Sequence, residues 1–332
     1  MGAELLSSPS PAASGDVPRR IYARSSAGDK VFRGVLRGAG MAVMAILGLI
    51  LAFLALRGWS AFRATGLSFF TTQSWFISTN KFGIAAILPD GILIALIAMI
   101  IAVPVAIATA LYISEYAPPV LRRALTSLID LMAAVPSIVW AMWGLFFLEP
   151  RILGISSWLA RHLGFIPFLH SVLPLTTPSF TTSAFIAGVV ISLMVIPIVT
   201  SLSREVFSQA PQAEREAAYA LGSTRWAMVR TVVLPFGRAG VIGSSMLGMG
   251  RALGETIVVT FILSPIYVFN FHVLNTGGNS IPFMIALNFS NGPKTVSALM
   301  AAGLVLFALT LLVNVIGSMV TSRSRSGLIT VN

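Results

Sequence analysis

Cysteine is absent from this chain, which excludes a disulfide framework and any thiolate metal site. Charge is scarce as well. Only 10% of the 332 residues are charged and 56% are hydrophobic, with a mean hydropathy of +0.88. A soluble domain carries about 25% charged residues, so this is the composition of an integral membrane protein. Lysine occurs only three times. A P-loop needs Gly, four residues, then Gly-Lys-Ser/Thr, so that backbone N–H groups cradle phosphates and the lysine reaches them. Only Lys294, in SNGPKT, comes near, with Pro293 in place of the glycine. GMGRALG spaces its third glycine one residue too far for a dinucleotide loop. The sequence therefore holds no nucleotide site, and energy for any work must come from a partner or an ion gradient.

Long apolar runs are abundant instead. About 20 apolar residues cross a hydrocarbon core of about 30 Å, and six runs qualify, near 38–56, 86–113, 125–148, 181–203, 237–265 and 295–318. They define an all-α domain over 38–320 with six transmembrane helices, the second and fifth long enough to tilt or to extend beyond the bilayer. Pro104, Pro136 and Pro197 fall inside runs, where a missing N–H and a ring clash kink a helix. Residues 1–37, with SSPSPAASG and scattered Arg and Lys, read as a disordered cytoplasmic tail and not a cleaved signal peptide. Leu6 stands where a myristoylation signal starting at Gly2 needs Ser or Thr. Residues 321–332 form a carboxy-terminal tail.

Net charge is +11. With both termini cytoplasmic, 15 of the 22 basic residues fall in inner segments. The positive-inside bias favours that orientation, in a plasma or inner membrane crossed several times. It accounts for the basic excess without nucleic acid, and no base-reading motif accompanies the charge. The outer segments are then 57–85, 149–180 and 266–294, and Trp59, Trp75 and Trp158 suit an interfacial belt.

The longest inner loop, about 204–236, carries charges of both signs. Pro211 is placed to start a helix and Gly222 to stop it. Ser223 or Thr224 can cap a second, whose Trp226, Val229, Val232 and Val233 recur at helical spacing before Pro235 ends it. A helix-turn-helix DNA reader would need a core of its own, and this loop is too short and is tied to spans at both ends.

Within that loop, Glu216, Ala217 and Ala218, then Gly222, then Val232, Leu234 and Pro235 resemble the EAA loop of ABC importer permeases. The pattern is EAA, three residues, G, nine residues, I, one residue, LP, and Val232 for Ile is the departure. The resemblance extends through GILIALIAMIIAVPVAIATALYISEYAPP, LIDLMAAVPSIVWAMWG, LPFGRAGVIGSSMLGMGRALGETIVV and NTGGNSIPFMIALNF, most of residues 66–320. These stretches are similar to the C-type (PstC-type) permeases of phosphate-specific importers. The resemblance implies the type I ABC importer architecture with a short cytoplasmic coupling helix, and a permease subunit that is not an enzyme on its own. It implies a PstA-type second permease, a PstB-type ATP-binding subunit dimer that alone uses ATP and Mg, and an extracytoplasmic PstS-type phosphate-binding protein. Inorganic phosphate would be the cargo, and this chain would bind no cofactor.

Arg251 and Glu255 sit inside the fifth run. On a continuous helix they lie one turn apart on one face and can touch. Each charge at mid-bilayer costs about 2.5 to 3.5 kcal/mol on insertion scales, which argues against a lipid-facing position. Gly250 and Gly254 form G-x-x-x-G on the next stripe, where another helix can approach. Two readings stay open. The charges tie the bundle together as a buried pair, a poor source of stability, or Arg251 meets the crossing anion through its fork of donors while Glu255 holds the guanidinium.

Other residues rank lower. Asp130 reads as part of an interfacial cluster with Arg122 and Arg123, and Asp90 suits a helix amino terminus. His162 and His170, eight apart with no carboxylate in register, read as surface residues. Three further classes remain: a permease for another oxyanion such as sulfate or molybdate, a gradient-driven carrier, which would need an inverted repeat and ion-binding carboxylates, and a sensory membrane protein that reports phosphate to a signalling partner.

Overall fold

The computed structural model of the chain describes residues 27–76, 79, 81–173 and 177–325. Helices dominate. They are α1 (Ala27–Thr65), α2 (Ser68–Thr71), α3 (Ile87–Leu111), α4 (Pro119–Ala134), α5 (Ser137–Trp143), α6 (Glu149–His162), α7 (Ala184–Ser208), α8 (Gln212–Ala220), α9 (Arg225–Met228), α10 (Leu234–Leu253), α11 (Ile257–Ile262), α12 (Ile281–Asn288) and α13 (Pro293–Arg325). π-helical turns at Tyr112–Tyr116, Gly144–Leu148 and Val229–Val233 extend α3, α5 and α9. Strands β1 (Trp75–Phe76) and β2 (Lys81–Phe82) pair antiparallel. Among the described residues, six helical runs are long and apolar enough to cross a membrane. The chain is a multi-pass membrane protein.

It divides into two units, residues 1–50 and 51–332. The described part of the first is the amino-terminal half of α1, whose Val31, Leu36, Met44 and Leu49 are exposed. This helix starts at Ala27, so 27–37 are not the tail expected from their composition. Asp29 lies in the first turn and pairs with Arg33 at 3.2 Å, one turn on, which favours helix. Residues 1–26 and 326–332 lie outside the described residues. At the other end α13 continues through Arg325, past the expected boundary at 320.

In the second unit the centre is α7 against α3. Ala95, Ala98, Ala102, Ala106 and Ala110 recur at helical spacing along α3 and are fully buried. Small residues let backbones approach where no hydrophobic force separates helix from lipid. A Cβ on Gly188 of α7 would stand 2.6 Å from the Ile97 side chain. Helices α3 and α7 continue through Pro104 and Pro197.

The third apolar run is not one helix. Val135 and Pro136 leave helical geometry with ψ of 126° and 144°, as expected for a residue forced out of the α region by a following proline. Thr126 of α4 accepts a hydrogen bond of 2.9 Å from Arg204, near the end of α7. Gly144 stands against Val190, near its start. So 119–148 runs the length of α7, broken once, and α6 continues as helix where an outer loop was expected.

The far end of α7 carries the loop with α8 and α9. Ala218, Met228, Val229 and Val233 are buried there with Ala110, Leu111 and Phe207. Pro235 does not end a helix, contrary to the expectation from sequence. The π turn before it lets the Leu234 N–H bond back to Val229 O, so the chain stays helical from Arg225 to Leu253.

Candidate functional site

Helix α10 climbs α7 through a stripe of small residues. A Cβ on Gly237 would meet the Phe207 ring at 2.6 Å, one on Gly240 would collide with Val206, and one on Gly248 would meet Val195 at 2.8 Å and Val199 at 3.0 Å. Ser244 bonds across to Ser203, Oγ to Oγ, at 3.0 Å. These contacts fix depth. Val206 and Phe207 lie at the loop end of α7, and Val195 and Val199 lie near its middle. Helix α10 therefore stops at Leu253, about one and a half turns past the middle of α7. Gly254, Glu255 and Thr256 break the run, and α11 carries the chain onward, its Ile262 against Gly144. The fifth run is thus two half-helices that meet in the middle of the unit.

That break separates the two charges that the sequence placed on one face. Arg251, in the last turn of α10, is exposed, whereas Glu255 is 9% exposed and turned inward. Its Oε1 accepts from the Val258 N–H at 3.3 Å, satisfying a donor left open at the start of α11. Among the described residues the ion pairs are Asp29–Arg33 and Glu115–Arg215. The expected Arg251–Glu255 pair is not formed, because Gly254 ends the helix between them.

The expected packing of Gly250 and Gly254 is also corrected. A Cβ on Gly250 would meet nothing within 4 Å, and one on Gly254 only carbonyl oxygens of its own helix. The close approach runs through Gly237, Gly240 and Gly248, on a different face of α10. Gly250 instead lines an open cavity of about 390 Å³ with Ile198, Met246, Leu247, Arg251 and Asn314. Arg251 thus presents a cation to a cavity at mid-depth, one turn from a helix break.

The second group of candidate residues lies in the loop beyond α7. Pro211 is the residue before α8, and Gly222 follows α8 with φ of +79°, a conformation that glycine adopts without steric cost. Thr224 is the cap, its Oγ1 accepting from the Ala227 N–H at 3.2 Å. Ala218 faces inward, while Glu216 and Ala217 are exposed, and Glu216 accepts from Gln212 at 3.0 Å. Leu234 packs against the buried cluster under the loop and Pro235 is exposed. The outward face also shows Tyr219, Leu221 and Trp226.

What holds this knob was not singled out from the sequence. Arg215 of α8 donates from Nη1 to both carboxylate oxygens of Glu115 in the π turn after α3, at 2.9 and 2.8 Å. Its Nη2 and Nε donate to Phe207 O and Ala210 O. The available signal was Glu115 itself, an acid in YISEYAPP just ahead of Arg122 and Arg123. Arg122 bonds to Ser114 O. Asp130 is exposed and pairs with neither arginine among the described residues. Asp90 is buried and its Oδ1 accepts from the Asn270 N–H at 3.5 Å, tying α3 to the segment before α12. His162 and His170 each bond a carbonyl of their own segment.

Residues 102–326 match the family described as "Binding-protein-dependent transport system inner membrane component". The chain is 40% identical over 292 residues to phosphate transport system permease protein PstC 2 of Mycobacterium tuberculosis, covering 86% of this chain and 90% of that protein. It is 38% identical over 304 residues to PstC of Xylella fastidiosa, covering 90% and 92%. Its fold is similar to a chain of a bacterial alginate ABC transporter solved with a pentasaccharide-bound periplasmic protein, with a TM-score of 0.59 at 14% identity, covering 89% and 96%. A chain of the inward-facing MetNI methionine ABC transporter gives 0.51 at 12% identity, covering 71% and 93%.

Proposed function

The chain belongs to the family of binding-protein-dependent transport system inner membrane components, and from that premise we propose that it is the PstC-type permease of an ATP-driven importer of inorganic phosphate. As a permease subunit of type I ABC importer architecture it forms part of a pore and hydrolyses nothing itself. ATP and Mg belong to a PstB-type ATPase dimer. A PstA-type permease completes the pore, and a PstS-type binding protein delivers phosphate from outside.

The cytoplasmic placement of both termini is supported by charge. Arg122, Arg123, Arg204, Arg215, Arg225, Arg230 and Arg238 all belong to the segments at the loop end of α7, the side that the positive-inside rule assigns to the cytoplasm. The α8–α9 knob then faces the ATPase. Glu216, Ala217, Tyr219, Leu221 and Trp226 form its docking face, and Gly222 with Leu234 and Pro235 sets its exit.

The observation that carries the transport reading is the unpaired Arg251 at the break of α10 and α11. Discontinuous helices at mid-membrane build substrate sites where irregular backbone lines a cavity. An arginine there meets a phosphate oxyanion with forked donors, and its lack of a carboxylate partner leaves the charge available to cargo. In vesicles holding the assembled transporter, Arg251→Gln abolishes uptake of radiolabelled phosphate while assembly and basal ATP hydrolysis persist. Uptake equal to wild type sinks the reading, and loss of the assembled complex makes Arg251 a structural residue. Sulfate or molybdate competing as well as unlabelled phosphate would reassign the cargo.

A further inference from the structure

Asn314 sits in LTLLVNVIG, within the last apolar run. An amide at that depth is costly unless it is hydrogen-bonded, and a polar side chain inside a membrane span either bonds a neighbouring helix or marks a functional site. The structure gives this amide a specific neighbourhood. It lines the same cavity of about 390 Å³ as Arg251, whose remaining walls are Ile198, Met246, Leu247 and Gly250. Arg251 and Asn314, both exposed to that open cavity, are thus the polar residues of an otherwise apolar lining. Among the described residues, neither has a hydrogen-bond or ion-pair partner. Depth agrees from both helices: a Cβ on Gly317 would collide with Met246, so Asn314, about one turn along α13, is level with Gly250 and Arg251.

We infer that Asn314 is the second polar contact for the anion that meets Arg251, and that it reads the anion's proton. This rests on the transport reading above. Guanidinium has donors and no acceptor, whereas an amide has both. Inorganic phosphate near neutral pH carries at least one P–O–H, and sulfate carries none. Asn314 Nδ2 donates to one phosphate oxygen while Oδ1 accepts from the hydroxyl, a bond that sulfate cannot make. Arg251 alone attracts any tetrahedral dianion, and the amide makes the chamber favour a protonated one.

The test uses the complete transporter in vesicles, with radiolabelled phosphate as the probe and sulfate as competitor. Asn314→Leu keeps the size and removes both hydrogen-bonding functions. It lowers phosphate uptake at limiting concentration by about tenfold or more and lets sulfate compete better, with assembly and basal ATP hydrolysis unchanged. Asn314→Asp loses more, since its carboxylate captures Arg251 and repels the cargo. Wild-type uptake and selectivity in Asn314→Leu overturn the inference. So does a fall in uptake matched by a fall in assembled complex, which would make Asn314 a tie to a neighbouring helix. Arg251→Gln, run in parallel, separates the levels. Loss in Arg251→Gln without loss in Asn314→Leu removes only the role of Asn314, and no loss in Arg251→Gln removes the cavity as a transport site.

Discussion

Arg215 and Glu115 lie 100 residues apart and meet with Nη1 2.8 Å from Oε2. Their side chains are 15% and 4% exposed. The pair bolts α8 to the end of α3, and the same guanidinium bonds the last carbonyls of α7. Movement of α8 is therefore passed to α3 directly and not only through the chain at either end of the loop.

Breaking one side of such a pair strands a buried charge, at about 3 to 5 kcal/mol. Arg215→Ala and Glu115→Ala are expected to lower the melting temperature of the purified complex and to raise the ATP consumed per phosphate moved. The swap Glu115→Arg with Arg215→Glu regains part of the stability but not the bonds to Phe207 and Ala210. Measuring ATP hydrolysis and uptake in the same vesicles checks this.

Gly248 and Gly250 are predicted to behave oppositely. Gly248→Val drives a side chain into Val195 and Val199, where overpacking costs about 1 to 3 kcal/mol. Gly250→Ala meets open space and gains up to about 1 kcal/mol of helix propensity. Thermal melts in detergent resolve the two, and a reversed order would restore the Gly250–Gly254 stripe as the packed face.

Glu255 serves α11, so the charge itself is dispensable and the acceptor is not. Glu255→Gln retains phosphate uptake, whereas Glu255→Ala loses a cap-like bond of about 0.5 to 2 kcal/mol and frays the half-helix. Equal loss in both variants would return Glu255 to the role of counter-ion for Arg251.

Gly222→Ala leaves packing untouched, since nothing lies within 4 Å of its Cβ position. The cost is the left-handed backbone alone, about 1 to 2 kcal/mol. The knob loosens, and the expected result is weaker co-purification of the ATPase with normal folding of the spans.

Four of the six spans were legible as apolar runs, because length and composition set them, whereas the third and fifth runs are each broken. So was the turn chemistry of the loop, because Gly222 and Thr224 act on their nearest neighbours. Three features were not. Glu115 and Arg215 meet only through the packing of α3 and α7. Gly250 and Gly254 matched a packing motif, but a motif does not say which face of a helix is covered; Gly237, Gly240 and Gly248 were equally visible and carry the contact. The break at Gly254–Thr256 was hidden because apolar residues resume at once beyond it, as Ile257–Ile262, so the two pieces read as one run. Pro136 was recognised as a disturbance and read as a kink, though Val135 before it is driven fully out of the helix.

Helical geometry is continuous from Arg225 to Leu253, 29 residues, or about 43 Å of rod. One end stands in the α8–α9 knob and the other ends at the cavity. A tilt of about 5° at the knob sweeps the far end by about 4 Å, more than the length of a hydrogen bond. Because the rod stops at Gly254, α11 does not have to follow. The discontinuity separates two attachments: Arg251 belongs to the rod that begins in the knob, and α11 is seated against Gly144 through Ile262.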